Sequence, residues 1–361
     1  MISALRNAAL GVLVFFLLDA AIFRSGLYLS VVEPVSILGT ELAALRRIDD
    51  ASATTKPIVV IGDSRVGEGF FTKIANLQAE QAHSKYRFAN ASAAGSRLES
   101  QYYLLRTADP NADRFSAVVV MLETYQSSFW VRTRCRDELP FIHAFARITD
   151  YLDIARNCAD FDDSMNTLTS LAVATPNFRA DLIAFLSGIE TRLKTVAAWR
   201  QHGTDWVNTR LGIDHDVIGL SYDAATQSLT LPARLTGAEA AVVRNELMQR
   251  ISGSAAPHTD GDYRRYWIER IVDRYAGTGT RVFFGRLPRS PLKNILSDQE
   301  PIADYLVKLQ SEGKLTLLPP GLFDEFEAPR YFADGLHVNK YGREGMTRAL
   351  VAAVLADMPD R

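Results

Sequence analysis

Hydrophobic residues between positions 56 and 126 occur in short, dense runs that alternate with stretches of helical spacing. The runs are rich in valine and isoleucine, as in "PIVVIG" and "FSAVVVML", which is typical of strands buried on both faces. The predicted strands are 57–62, 86–91 and 115–122, and the predicted helices are 67–82 and 96–108. Strands that alternate with helices in this way indicate a parallel sheet with helical crossovers.

The alternation stops after the third strand and resumes more than a hundred residues later. Residues 127–260 have mainly helical spacing, with one predicted β-hairpin in "IGLSYDAATQSLTLPA". After them, the predicted helices are 262–277, 299–312 and 339–357, and the predicted strands are 280–288 and 315–320. We therefore predict a flavodoxin-like, doubly wound parallel sheet in three α/β/α layers, split by a large helical insertion.

The chain begins with an apolar run, Ala8–Phe23, bounded by Arg6 and Arg24. With tilt and long arginine side chains, this run favours an uncleaved transmembrane anchor. A cleaved signal peptide and a buried helix of a soluble protein are the alternatives. Asp19 is costly inside a membrane unless it lies near water at the end of the run or pairs with a partner helix.

Arg6 and the N-terminal amine would keep the N-terminus of such an anchor in the cytoplasm. We therefore expect a single-pass protein of the bacterial inner membrane, with its globular part in the periplasm. The pattern divides the chain into an anchor at 1–30, a juxtamembrane segment at 31–55, and a sheet-bearing domain formed by 56–126 and 261–361. The juxtamembrane segment is helical and then a polar linker, "DDASATTK". The insertion, 127–260, would serve as a lid or a partner-binding region.

The charge and cysteine content narrow the classes of partner. The net charge is -2 and the basic residues are scattered, so we expect no nucleic-acid partner. The two cysteines, Cys135 and Cys158, would form a disulfide in an oxidising compartment, or else are two separate buried thiols. Their number and spacing give no support for a zinc site, and no other metal site is expected.

Two short stretches at opposite ends of the chain carry candidate chemistry. "VVIGDSRVGEGF" places Ser64 in a tight turn after the first predicted strand, where ligands bind in open parallel sheets. "FADGLHVNKYG" places Asp334 three residues before His337, ahead of the last helix. This spacing lets the carboxylate hold the imidazole while the other ring nitrogen faces the serine. A turn serine, a capping aspartate and a surface histidine are the alternatives for each residue alone.

These stretches resemble the SGNH (GDSL-like) hydrolase superfamily. "VVIGDSRVGEGF" and "ADGLHVNKYGREGMTRAL" are similar to the family's first and last blocks, and "FANASAAGSRLESQ" to its second. The resemblance implies a serine esterase or O-acyltransferase with Ser64 as nucleophile, His337 as base and Asp334 as its acidic partner. It also implies an oxyanion hole formed by the N–H groups of Ser64 and Gly95, and no metal or other cofactor.

One block departs from the family. The family's Gly-x-Asn-Asp element, whose asparagine completes the oxyanion hole, is replaced here by "MLETYQSS". Thr124 or Gln126 could donate a hydrogen bond in its place, whereas an ionised Glu123 would oppose an oxyanion. Arg65 could offset the missing donor or bind an anionic substrate, or it could simply face solvent.

The anchor, the altered block and the terminal Asp-x-x-His are also similar to extracytoplasmic SGNH-like proteins that work beside membrane-bound O-acyltransferases. We therefore expect O-acyl transfer or O-acyl ester hydrolysis on a cell-envelope polysaccharide through an acyl-Ser64 intermediate. The expected partners are an acyl donor, a glycan or small ester, and a membrane-bound O-acyltransferase. The alternatives are a general esterase or lipase-like hydrolase, and a non-catalytic assembly partner with the same fold.

Overall fold

The computed structural model describes residues 2–359 except 54, 127–134, 159, 203–214, 254–260 and 293–301. Its contacts divide the chain into two compact units. The anchor unit comprises Met1–Ala43 and Thr133–Val207, and the sheet unit comprises Ala44–Arg132 and Asn208–Arg361. The division differs from the predicted domain bounds, since the part of the insertion after residue 207 groups with the sheet.

The sheet unit contains five parallel strands in the order β2-β1-β3-β6-β7. These strands are β1 Ile58–Ile61, β2 Phe88–Asn90, β3 Ala117–Leu122, β6 Arg281–Arg286 and β7 Thr316–Leu317. Strands β1 and β3 are buried at every position, which explains their uninterrupted apolar runs. The α/β class and the parallel sheet are confirmed, and the strand order places the topological switch point between β1 and β3.

Helices flank the sheet in the order predicted from the hydrophobic pattern. They are α3 Ser64–Gly69, α4 Thr72–Gln81, α5 Leu98–Ala108, α12 Gly261–Tyr275, α13 Asp304–Ser311 and α14 Lys340–Asp357. The prediction of one helix over 67–82 was wrong, because the chain is extended at Phe70 and divides it into α3 and α4. At this break the Phe71 N–H donates to Thr347 Oγ1 of α14 (3.0 Å), so packing against the last helix replaces the helical bonding.

The predicted hairpin is present as β4 Ser221–Asp223 and β5 Ser228–Thr230, followed by α11 Gly237–Gly253. Apolar residues of this segment pack against the chain just before α14. The cluster contains Val217, Leu220, Leu229, Leu235, Val243, Leu247, Phe332 and Val338. The segment therefore contacts the loop that carries Asp334 and His337.

The anchor unit begins with α1, Ile2–Asp19, which a π-helical turn, Ala20–Arg24, continues. Ser3–Arg24 is a 22-residue helix that contains an 18-residue stretch of mean hydropathy 1.8, so it is long and apolar enough to cross a membrane. The unit also contains α6 Cys135–Ile142, α7 Tyr151–Arg156, α8 Phe161–Ala172, α9 Thr175–Ser187 and α10 Ile189–His202. A disulfide joins Cys135 to Cys158, whose Cα atoms lie 5.4 Å apart.

Helix α2, Ile37–Ser52, begins in the anchor unit and ends in the sheet unit. It continues through Asp49–Ser52, the first half of the predicted polar linker, so that half is helical. Ala43, Ala44 and Ile48 are fully buried. The predicted juxtamembrane segment is therefore a packed helix for most of its length.

Candidate active site

Ser64 is the first residue of α3, three residues after β1 ends. Gly62, in the turn between them, has no room for a side chain: a Cβ there would lie 2.3 Å from Val66 Cγ2. Asp63 caps α3, its Oδ1 accepting the Arg65 N–H (2.9 Å). The turn therefore presents Ser64 at the carboxyl end of β1, next to the switch point of the sheet.

Asp334 and His337 lie in the loop that leads into α14. The Ala333 N–H donates to the His337 carbonyl (2.8 Å), and Phe332 forms an isolated β-bridge with Val338, which closes the loop on itself. Asn339 then caps α14 by accepting two backbone N–H groups of its first turn. These contacts fix the position of the loop without using the side chains of Asp334 or His337.

The structure brings the three predicted residues together across 273 residues of sequence. Ser64 Oγ lies 2.9 Å from His337 Nε2, and His337 Nδ1 lies 2.9 Å from Asp334 Oδ2. Asp334 Oδ1 accepts the N–H groups of Leu336 (2.7 Å) and His337 (2.6 Å), which fixes the carboxylate. With a proton on Nδ1, His337 donates to Asp334 and its Nε2 accepts the Ser64 hydroxyl, as in a serine-hydrolase triad.

The charges around His337 suit a general base. Burial alone would lower the pKa of His337, but the hydrogen bond and charge of Asp334, with the charges of Glu68 and Glu246, raise it above its ordinary value of 6.5. Burial alone would raise the pKa of Asp334, but its bonds from His337 and Leu336 hold that pKa below its usual range. Asp334 therefore stays ionised at neutral pH and stabilises the imidazolium form.

Arg65 is buried beside Ser64 instead of facing solvent. Its guanidinium pairs with Asp63 (2.7 Å) and with Glu123 (2.8 Å), the residue that follows β3. Burial alone would raise the pKa of Asp63, yet the charge and hydrogen bonds of Arg65 lower it. The negative charge that Glu123 brings to the altered block is therefore matched by a positive charge at bonding distance.

The rest of the altered block is held by its neighbours. The Tyr125 hydroxyl is buried and lies within hydrogen-bonding distance of the carbonyls of Phe284 (2.7 Å) and Leu318 (2.9 Å). Arg264 donates to the carbonyls of Thr124 and Gln126. Thr124 Oγ1 accepts the Gln126 N–H (3.2 Å). Both predicted donor side chains, Thr124 and Gln126, are half-buried in this loop.

The loop after β2 carries Gly95 close to the same turn. The Ala93 N–H and Ser96 Oγ both donate to the Gly62 carbonyl, at 3.1 and 2.9 Å. Gly95 has a φ of 74°, a left-handed conformation that favours glycine. Within the described residues, the backbone N–H groups of Gly95 and Ser64 donate no hydrogen bond.

Sequence reasoning missed the residues of α11 at the site. A Cβ on Gly335 would lie 3.0 Å from Leu247 and 3.1 Å from Glu246 Oε2, so α11 packs closely on the loop between Asp334 and His337. No short-range pattern links a helix of the insertion to this loop. The pairing of Arg65 with Glu123 was also missed, although both residues had been singled out separately.

One cluster of metal-ligand side chains occurs within the described ranges, in the anchor unit. It consists of Cys135, Cys158 and Asp163. The two sulfur atoms form the disulfide, and the Asp163 carboxylate accepts the Cys135 N–H (2.9 Å). The cluster is therefore occupied by structural bonds.

No protein-family model matches the chain, and no curated protein matches it either. The interpretation of the site consequently depends on its residues and their geometry.

Proposed function

We propose that the chain is a membrane-anchored, SGNH-type serine enzyme that transfers or hydrolyses O-acyl groups. The observation that carries this proposal is the hydrogen-bonded series from Ser64 through His337 to Asp334, with both distances at 2.9 Å. A serine hydroxyl is a weak nucleophile, and a base within bonding reach, itself oriented by a third group, is what activates it. All three residues belong to the sheet unit, at the edge where ligands bind in such folds.

In the first half of the reaction, Ser64 Oγ attacks the carbonyl carbon of an acyl ester while His337 Nε2 takes the hydroxyl proton. The ester's alkoxy group then leaves with that proton, and the acyl group remains on Ser64. In the second half, His337 takes a proton from water or from a sugar hydroxyl, whose oxygen attacks the acyl-serine. The carboxylic acid or the new ester departs, and Ser64 regains its proton from His337.

The oxyanion that forms in each half needs hydrogen-bond donors in place. The N–H groups of Ser64 and Gly95 fill this role in the proposal, since neither is bonded within the described residues and both adjoin the Gly62 turn. Arg65, next to the nucleophile in sequence, offsets part of the charge of Glu123, 2.8 Å away, while it also pairs with Asp63. This pairing weakens the objection that an anion in the altered block would oppose the reaction.

Two features of the anchor unit support an extracytoplasmic substrate. The Cys135–Cys158 disulfide is typical of an oxidising compartment, and the apolar N-terminal helix would hold the enzyme at a membrane. We propose a periplasmic site that acts on O-acyl groups of an envelope polysaccharide. A membrane-bound O-acyltransferase would be the natural source of the acyl group.

A serine-reactive fluorophosphonate tests the activated nucleophile. The full-length protein in detergent should be labelled, and Ser64→Ala and His337→Asn should each abolish labelling. Ser311→Ala and His83→Asn are matched controls at exposed positions in the sheet unit and should label like the wild type. Labelling that persists in Ser64→Ala, or a wild type that stays unlabelled while hydrolysing acetyl esters, would contradict the proposal.

A second measurement separates hydrolysis from transfer. The protein is incubated with an activated acetyl ester, with and without an oligosaccharide acceptor, and the acetylated sugar and free acetate are both measured. Transfer predicts acetylated sugar that requires Ser64, whereas a simple esterase gives acetate alone. Wild-type protein that forms neither product above the uncatalysed rate would instead favour a non-catalytic role for the scaffold.

A further inference from the structure

The end of the apolar helix is bound by two helices of the anchor unit. Asp19 is buried, and its carboxylate accepts the N–H groups of Ala174 (2.9 Å) and Thr175 (2.8 Å) at the start of α9. Arg24 donates to the carbonyls of Leu171 (2.5 Å) and Ala172 (3.1 Å) at the end of α8. We call Asp19, Arg24 and the α8–α9 turn that they bind the helix clasp. Each charge meets the helix end of opposite polarity, so the clasp is electrostatically favourable.

The helix clasp fixes the depth of this turn relative to the apolar helix. Asp19 lies five residues, about one helical turn, before the end of Ser3–Arg24. A 22-residue helix is about 33 Å long, close to the roughly 30 Å hydrocarbon thickness of a bilayer. If this helix crosses a membrane, the α8–α9 turn must therefore lie at the level of the lipid headgroups or slightly deeper, toward the bilayer centre.

Helix α9 runs from that level in the same direction as the apolar helix. Its Thr175 binds Asp19, and three residues later the ring of Phe178 stacks on Phe23 (centroids 5.1 Å apart). Leu186, 11 residues after Thr175, is then about 17 Å further along α9. The far end of α9 consequently lies outside the lipid, which makes it a reference point within the same unit.

A face with interfacial composition adjoins the helix clasp. The Tyr151 hydroxyl accepts a hydrogen bond from Arg24, and the Arg24 guanidinium lies 5.6 Å from the centre of its ring. The neighbouring apolar side chains are exposed, Ile148 by 75% and Leu152 by 61%. Arg147 and Arg156 are exposed beside them, and the exposed acids Asp160 and Asp162 follow at the start of α8. We call Arg147, Ile148, Tyr151, Leu152 and Arg156 the interfacial face.

We propose that the interfacial face lies in the surface of the bilayer, with Ile148 and Leu152 among the upper acyl chains and the two arginines against anionic headgroups. Tyrosine and arginine at headgroup depth beside exposed aliphatic residues are the composition that lipid interfaces select. The occupant is lipid, because the helix clasp holds Tyr151 at the level of Arg24, where the proposed membrane crossing ends. The inference rests on that crossing, and it adds a second membrane contact made by the insertion.

Depth-dependent fluorescence quenching tests the proposal on the full-length protein in nanodiscs that contain phosphatidylcholine, phosphatidylglycerol and a spin-labelled lipid. Bimane is attached to Leu152→Cys, and to Leu186→Cys as a matched control, since the two leucines are 61% and 60% exposed. Leu13→Cys, in the apolar helix, reports the membrane crossing itself. We expect strong quenching at positions 13 and 152, with the quenching at 152 about twofold or more above that at 186.

The pattern of quenching distinguishes the failures. Quenching at 13 but equal, weak quenching at 152 and 186 would overturn the interfacial face, assign it to a protein partner and leave the proposed enzyme untouched. Absence of quenching at 13 would remove the membrane crossing and with it this inference.

The double variant Arg147→Gln/Arg156→Gln tests the role of the two arginines. It should abolish any increase in quenching at 152 that phosphatidylglycerol causes, and an unchanged increase would contradict that role.

Discussion

Two aspartates, one in each unit, are bound in nearly the same way and are suited to different tasks. Asp334 in the sheet unit accepts two backbone N–H groups on one oxygen and faces His337 Nδ1 with the other. Asp19 in the anchor unit accepts two backbone N–H groups and the Thr175 hydroxyl (2.6 Å). Backbone donors fix both carboxylates, and the third partner decides what each one does.

The third partner of Asp334 is a group that can change its charge, whereas that of Asp19 cannot. An imidazole that gains and loses a proton beside a fixed carboxylate can move protons to and from a substrate. A threonine hydroxyl and a helix end can only hold the carboxylate, which makes Asp19 a structural connection. Substitution should therefore separate the two: one aspartate controls rate and the other controls stability.

The largest effect is expected for Asp334→Asn. The amide oxygen can keep both backbone bonds, but the amide N–H₂ would then face His337 Nδ1, which forces the proton to Nε2 and prevents it from accepting the Ser64 proton. We expect kcat/KM for an acyl ester to fall by about 100- to 10,000-fold, with little change in thermal unfolding. Ester hydrolysis and circular dichroism measure the two. A loss of stability with normal kcat/KM would make Asp334 equivalent to Asp19 and end the distinction.

The next effect concerns Arg65, which pairs with two carboxylates beside Ser64. Arg65→Met leaves the half-buried Asp63 and Glu123 without that countercharge, and we expect a loss of about 3 kcal/mol in unfolding free energy. It should also lower kcat at least about tenfold, because repulsion between the uncompensated negative charge and the oxyanion need raise the activation free energy by only about 1.4 kcal/mol to have that effect. The double variant Arg65→Met/Glu123→Gln serves as the matched control and should recover part of both losses. No recovery would show that Arg65 acts independently of Glu123.

A smaller effect is expected for Asp19→Asn, on stability alone. The amide keeps the shape but removes the charge and places an N–H₂ group against a backbone donor, for a cost of about 1 to 3 kcal/mol. Thermal unfolding in detergent should show the decrease, while kcat of the folded protein stays the same. Asp162→Asn, an exposed acid in the same unit, is the control and should change stability by less than about 0.5 kcal/mol. A fall in kcat without destabilisation would contradict the structural role.

The smallest effect is a displacement of the pH profile. His337 must be neutral to accept the Ser64 proton, and its pKa is raised above 6.5, so kcat/KM should be half-maximal above pH 6.5 and fall as pH decreases through that pKa. Asp334→Asn removes the carboxylate charge, so the remaining kcat/KM should fall at a lower pH than in the wild type. If kcat/KM falls at the same pH in both proteins, another group controls the pH profile.

Most of the sheet unit could be predicted from the sequence because its signals are local. A strand that is buried on both faces has a continuous apolar run in its sequence, so β1 and β3 were predicted within two residues of their bounds. The Asp-x-x-His spacing brings Asp334 and His337 together within one loop. Ser64 could be assigned to the same edge because parallel strands end there, which is a property of the fold class and not of long-range contacts.

The helix clasp and the Arg65–Glu123 pair could not be predicted, because they join residues that are far apart in sequence. Asp19 and Thr175 are 156 residues apart, and nothing near either residue in sequence indicates the other. The cost of Asp19 in an apolar run did indicate either a position near water or a partner helix, and the structure gives it a partner helix. The break at Phe70 was missed because packing against α14 overrides a pattern that is locally helical.

The most direct test of the central claim is detection of the acyl-enzyme. Full-length protein is mixed with an activated acetyl ester, quenched in acid within the first turnover, digested and analysed by mass spectrometry. We predict that the peptide containing Ser64 gains the mass of one acetyl group, that fragmentation assigns it to Ser64, and that Ser64→Ala gives no such peptide. An unmodified Ser64 peptide during turnover, or an acetyl group that accumulates on another residue in both proteins, would contradict a reaction through Ser64.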